Sequence, residues 1–317
     1  MKNLALLLFL IFATNYIKAQ QNLIYNGDFE IYDTCPTAHS TPSDLQIEYA
    51  LGWYSPTLAT PDYFNVCSPA TNSYTNVSIP NNFIGYQNAY SGNAYVGIYV
   101  HVDWINGKEY IQSKLIETLK PHSLYKIEFS VSLADSAQYA IKGIGFYLSE
   151  SPILTNDFYT LNIAPQFESN FFISDIQNWT TLNTYYLASG NENYITIGCF
   201  IDSSKINLLS VNNFTSTGGN TSYYYIDNIK LYEVDISAQY PNVLSPNGDG
   251  INDYWAPFIM DEDEKINIYN RWGSLIIELS NENKKWYGKT EKGEDCADGV
   301  YYFTTNKNRK GTILLIK

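Results

Sequence analysis

The apolar segments of this chain are short, rich in tyrosine and β-branched residues, and stop at clusters of Gly, Pro, Asn or Ser. AYVGIYV (94–100), YKIEFSVSLA (125–134), GIGFYLS (143–149), NYITIGCFI (193–201) and YYYIDNIKLYEV (223–234) all have this form. Runs of this kind between frequent turn signals specify strands that stack into a sandwich. The 29 Tyr, 15 Phe and 6 Trp press the same way, because aromatic side chains fit a pleated surface better than a helix. One segment, YIQSKLIETL (110–119), is compatible with a helix but stops short of Pro121, and reads as a strand followed by a turn. Residues 151–180 lack a clean period and read as a long loop with one or two short strands.

The opening MKNLALLLFLIFATNYIKAQ sets Lys2 ahead of an apolar run from Leu4 to Ala13, the form of a secretory signal peptide over 1–19 with cleavage after Ala19. That run is shorter than the roughly 20 residues a bilayer span requires, and no later segment approaches that length. The mature chain is therefore expected to be exported and to carry no transmembrane segment. Its 32 acidic residues outnumber 19 basic ones, giving a net charge of -13, so nucleic acid is not an expected partner. Export permits disulfides. Of the four cysteines, Cys35 and Cys67 lie in one loop-rich region and are the expected pair, although four cysteines allow other pairings and all four free stays open. Cys199 and Cys296 are not assigned.

Catalytic patterns are absent from the sequence. The three histidines, His39, His101 and His122, form no HExxH or Cys/His metal spacing, and there is no G-x-S-x-G elbow. The SGN at 91–93 reads as a tight turn. Carboxylate pairs such as Asp103 with Glu109, or Asp44 with Glu48, read as solvated surface charges, so no catalytic residue and no enzymatic activity are expected.

A new pattern starts after residue 240. PNVLSPNGDGIND (241–253), INIYNRWGSLIIE (266–278), WYGK (286–289), DGVYYF (298–303) and the final KGTILLIK (310–317) follow one another in order. Their spacing suits a small immunoglobulin-like β-sandwich. Together they resemble the gliding-motility-associated C-terminal domain, the type B sorting domain of the type IX secretion system. That resemblance implies an address read by the type IX secretion machinery in the outer membrane. It also implies export through the periplasm and delivery to the surface or the medium. Within this region Asn247, Asp249 and Asp253, with the carbonyl of Ile251, alternate in a way that suits an oxygen-only calcium loop. The same residues suit a turn in which Asn and Asp cap backbone amides.

NLIYNGDFE (22–30) and YYYIDNIKLYEV (223–234) resemble the two ends of a galactose-binding-like jelly roll, the architecture of many carbohydrate-binding modules. The resemblance implies paired first and last strands that bring Glu30 and Asp227 together around a structural Ca2+, with backbone carbonyls completing its shell. Between these ends, GWYSPT, TPDYFNVCSP and the segments up to residue 149 resemble an N-terminal module of exported bacterial proteins. The expected organisation is a signal peptide (1–19), a jelly-roll domain (20–235), a linker (236–240) and a sorting domain (241–317), all-β throughout.

Sugar rings stack on aromatic faces while their hydroxyls bond Asn, Asp and Gln. Trp104, in the polar setting HVDWINGKEY, is the leading ligand candidate, with Tyr63, Tyr86 and Asn82 in other loop-like segments; Trp53 reads as core. The expected function is an exported surface or secreted binding and adhesion protein with a glycan as ligand. A structural component of the cell envelope without sugar affinity, and a polysaccharide hydrolase, are the alternatives.

Overall fold

The computed structural model describes residues 20–69, 72–103, 106–211, 221–234, 240–248, 252–258, 260 and 263–317. The expected signal peptide, positions 236–239 of the linker, Trp104 and Asp249 lie outside these residues. The fold is all-β. Its one helical element among the described residues is a single 3-10 turn, Gln46–Tyr49.

Two five-stranded antiparallel sheets form the first sandwich. One carries, in spatial order, β1 (Trp53–Tyr54), β6 (Tyr110–Lys114), β12 (Tyr194–Cys199), β9 (Ile144–Ser149) and β10 (Phe167–Glu168). The other carries β11 (Thr180–Leu187), β7 (Leu124–Leu133), β14 (Thr221–Val234), β5 (Ala94–Val102) and β2 (Asp62–Asn65). Two small pairs flank them: β3 (Asn81–Asn82) with β4 (Gly85–Tyr86), and β8 (Tyr139–Ile141) with β13 (Leu208–Ser210). The helix-compatible segment at 110–119 forms β6 and a turn, and the aperiodic stretch 151–180 carries β10 alone up to the start of β11.

Alternation decides which side chains fill the space between the sheets. Val96 and Ile98 of β5, Ile127 and Phe129 of β7, Ile195 and Ile197 of β12, and Tyr224 and Ile226 of β14 share one core. The intervening residues of β14 are not polar, as a half-solvated strand would have them. Tyr223 and Tyr225 are buried on the opposite face in a second cluster with Phe64, Val77, Ile84 and Tyr95. A strand covered on both faces must satisfy its phenol groups internally. Tyr223 donates to Asp62 (2.7 Å), Tyr224 to the Ile173 carbonyl (2.7 Å) and Tyr225 to Asn82 Oδ1 (3.0 Å).

The start of the chain is laced to the end of β14. Leu23 N donates to the Leu231 carbonyl, and Ile229 N to that of Gly27. A Cβ on Gly27 would lie 2.1 Å from Ile229 O, so only glycine permits this approach. Cys35 and Cys67 are joined by a disulfide, with their Cα atoms 5.9 Å apart.

Residues 240–315 enclose a separate core around Trp255, Trp286, Ile266, Ile268, Phe303 and Ile313. Their sheet has the order β15 (Val243–Leu244), β19 (Lys310–Leu315), β18 (Gly299–Thr305), β16 (Ile266–Tyr269), β17 (Leu275–Leu279), with β15 and β19 parallel. Trp255 and Trp286 exchange both backbone hydrogen bonds, at 2.7 and 2.8 Å, and bury their indoles together. The buried Glu264 carboxylate accepts from Tyr240 (2.7 Å) and pairs with Arg309 (3.2 Å), which satisfies the charge within the core.

Candidate functional site

The turn at 91–93 is gripped from two sides by carboxylates far apart in sequence. Glu30 accepts from the Asn93 backbone N (2.6 Å) and, more weakly, from its side chain (3.4 Å). Asp227 accepts from Ser91 N (3.1 Å) and from Asn228 N (2.6 Å). Gly92 lies between them with φ +66, and a Cβ there would sit 2.3 Å from Glu30 Oε1. The two residues nominated for a metal thus meet one loop. Asp227 is fully buried and pairs with no cationic side chain among the described residues. Burial pushes its carboxyl up to about 7, with the nearby Asp28 adding to the effect. A buried acid of this kind, beside a second carboxylate and a loop, suits a hard cation whose remaining ligands are carbonyl oxygens. No group of three or more His, Cys, Asp and Glu gathers around a common point among the described residues, so protein carbonyls or water would have to supply most of the shell.

Of the nominated ligand contacts, Tyr63 and Asn82 are corrected by the structure. Tyr63 is fully buried in the inter-sheet core; its hydroxyl donates to the Phe29 carbonyl (2.9 Å) and accepts from Asn65 (2.8 Å), so no ligand reaches the ring. Asn82 spends its amide inside the protein, donating to Tyr95 (3.0 Å) and accepting from Tyr225 (3.0 Å) and Ile84 N (3.0 Å). It pins the β3–β4 hairpin over the second aromatic cluster. Tyr86 is 57% exposed, and Trp104 lies outside the described residues.

Near Tyr86 in the chain lies an aromatic pair that its own segment does not reveal. Four residues on, Tyr90 is 45% exposed, and its ring meets Trp179 edge to face at 6.2 Å. Trp179 also packs edge-on against Tyr95 (5.8 Å) and donates its indole N–H to the Asn88 carbonyl (2.9 Å), which fixes the ring plane. The segment is anchored beneath by Gln87 on Ser132 (2.5 Å) and by the Tyr86 amide on Asp135. Polar residues precede Trp179 in the chain. Asp175 accepts from the backbone amides of Gln177 and Asn178, which hold its carboxyl below its ordinary range. Tyr90 and Trp179 are brought together by the turn over β14 and by the entry to β11. The one sequence cue was a tryptophan in the polar stretch DIQNW.

In the C-terminal sheet unit, Asp253 accepts from Gly248 N (2.6 Å), and Ser245 N donates to the Asn252 carbonyl (2.8 Å). Gly248 has φ +81, so the chain turns there with Asp253 capping its amide; Asn247 precedes it and Asp249 lies outside the described residues.

Residues 238–313 match the CHU_C type IX secretion signal domain. A signal domain of this kind implies dealings with the type IX secretion machinery, and with them export to the surface or the medium. No curated protein matches the chain. Among solved structures, the Stig cyclase Fisc from Fischerella sp. TAU, crystallised with an indole compound, is similar over 67% of this chain and 96% of that one, at 15% identity and a TM-score of 0.38. The CBM22-1 xylan-binding domain of Paenibacillus barcinonensis Xyn10C is similar over 64% and 99%, at 11% identity and a TM-score of 0.30. TmCBM61, in complex with β-1,4-galactotriose, is similar over 68% and 99%, at 11% identity and a TM-score of 0.32. No helix among the described residues is long and apolar enough to cross a membrane.

Proposed function

We propose that this chain is an exported glycan-binding protein whose C-terminal unit directs type IX secretion and surface sorting and whose first sandwich binds sugar at Tyr86, Tyr90 and Trp179. The observation that carries the reading is the exposure of Tyr86 and Tyr90 on one segment, with the half-buried Trp179 set edge-on to Tyr90, held in its plane by the indole bond to Asn88, and followed back along the chain by Asn178 and its partner Asp175. Sugar rings present apolar faces to such rings and hydroxyls to such rims. A net charge of -13 directs the choice towards a neutral or acetylated glycan rather than a polyanionic one. Ca2+ held by Glu30 and Asp227 would fix the 91–93 turn next to Tyr90, and so stiffen the sugar platform without touching the ligand.

The test is a glycan array probed with the secreted chain, followed by titration of the best ligand. Trp179→Ala and Tyr90→Ala are each expected to weaken binding by about tenfold or more, or about 1.4 kcal/mol. Binding unchanged in both variants would move the site to Trp104. A chain that binds no glycan yet is retained at the surface only with a partner would instead be a structural envelope component.

A further inference from the structure

The loop between β1 and β2 and the segment 157–159 are tied together at the mouth of a second concavity. Leu58 N donates to the Asp157 carbonyl (2.8 Å), Lys108 N donates to that of Phe158 (3.0 Å), and Gly107 bridges Tyr159. These bonds hold Leu58 and Phe158, 56% and 36% exposed, beside a cavity of about 260 Å³ whose walls also include Pro42, Tyr99 and Val102. Glu109, only 7% exposed, lines the same cavity. Its carboxyl accepts from Tyr99 N (2.7 Å) and Thr60 Oγ1 (3.2 Å). Close enough to repel it is Asp62, 3% exposed, which accepts from Tyr223 (2.7 Å) and Ser40 N (2.7 Å).

Neither acid pairs with a cationic side chain among the described residues. The adjacent Lys108 directs its Nζ to Cys199 Sγ (3.4 Å) and the Ile201 carbonyl. The groups facing the pair are therefore the phenols of Tyr99 and Tyr223 and the Thr60 hydroxyl, and none of them supplies positive charge. Burial pushes Asp62 up to about 7, and burial with repulsion from Asp62 pushes Glu109 up to about 8. The fold has placed one carboxyl, that of Glu109, in the wall of a largely apolar cavity and a second, that of Asp62, buried close to it, with no cationic side chain paired to either among the described residues.

We propose that this cavity is a binding site for a small apolar molecule bearing one protonated amine, which Glu109 receives while Leu58, Phe158 and Tyr99 cover its hydrocarbon body. A ligand cation compensates the buried carboxylate, which otherwise costs free energy on ionising. A bare metal ion would find too few oxygen ligands against apolar walls, and an anion would be repelled. The volume, below the roughly 300 Å³ at which ligand pockets usually begin, limits the occupant to about one ring and a short amine arm. This site shares no residue with the glycan platform, so the two readings stand or fall separately.

The experiment titrates phenethylamine into the full secreted chain by calorimetry, with phenethyl alcohol and hydrocinnamate as neutral and anionic counterparts. The amine is expected to bind about tenfold more tightly than the alcohol, and hydrocinnamate not at all. Amine binding should release protons, seen as heat that varies with the buffer's ionisation enthalpy. Its affinity should rise from about pH 6 to about pH 9 as the acids ionise. Glu109→Gln should abolish both the amine preference and the proton release, while Phe158→Ala should weaken amine and alcohol alike. The proposal is overturned by equal binding of all three probes, by no binding of any, or by amine binding that releases no protons. Amine preference surviving in a folded Glu109→Gln chain also overturns it; should that variant not fold, the three-probe comparison and Phe158→Ala still decide.

Discussion

Replacing Asp227 by Asn tests the buried carboxylate at the 91–93 turn through the pH dependence of stability. Without a cation, burial raises this carboxyl from 3.8 to about 7. A raised folded value means that the folded protein keeps a proton which the unfolded chain has lost. Its contribution is therefore fully present below about pH 4 and is lost as pH rises towards about 7. About three units at about 1.4 kcal/mol each give about 4 kcal/mol in all, of which about 2 kcal/mol falls between pH 5 and pH 7. For a domain of this size each kcal/mol moves the melting temperature by about 2–4 °C, so the expected drop is about 4–8 °C in chelator. Calcium favours the ionised form and should remove this part of the slope. Asp62 and Glu109 add a slope of the same sign with or without calcium, so the difference between the two series isolates Asp227. In Asp227→Asn the calcium and chelator series should coincide. Thermal melts across this pH range provide the measurement. An unaltered chain with the same slope in calcium and in chelator would refute the reasoning.

Three further outcomes are expected. Breaking the Cys35–Cys67 bond, which spans 32 residues of sequence, should cost about 4 kcal/mol by chain entropy, read from the melting temperature of Cys35→Ser/Cys67→Ser against the parent chain. Trp286→Ala, at a site 1% exposed, should destabilise the C-terminal core by about 3–5 kcal/mol and expose residues 240–317 to limited proteolysis while the first sandwich stays resistant. Deleting residues 241–317 should leave the remaining chain in the periplasm, as fractionation would show; normal recovery at the surface or in the medium would remove the sorting role.

The strands were legible because alternation and turn chemistry are local properties. β9 and β12 fall within segments chosen for their pattern alone, and β5, β7 and β14 overrun theirs by one or two residues. What lies on the far side of each sheet was not legible. Tyr63 sits in TPDYFNVCSP, whose prolines and polar residues read as a loop, yet its hydroxyl partner is the carbonyl of Phe29, 34 residues earlier. Asn82 bonds a phenol 143 residues away, a distance no local pattern records. Tyr223 and Tyr225 resemble the solvated half of an alternating strand, and only the loop packed over them makes them core. Glu109 read as a surface charge because acidic residues usually are; its burial comes from the distant Leu58 and Phe158 segments. Glu30 and Asp227 were found because the resemblance named both ends of one fold, which periodicity could not do.

The sheet of the C-terminal unit places its last strand in sequence, β19, between β15 and β18, so β15 has no other strand neighbour among the described residues. Val243 and Leu244 can pair only once Leu314 and Leu315 have been synthesised. A chain that stops between Thr305 and Lys310 would hold every other strand of the unit and still leave a gap where the sheet should close. Synthesis of β19 is thereby written into the shape of the address, and a product cut short of it would present an unfinished surface to the export apparatus.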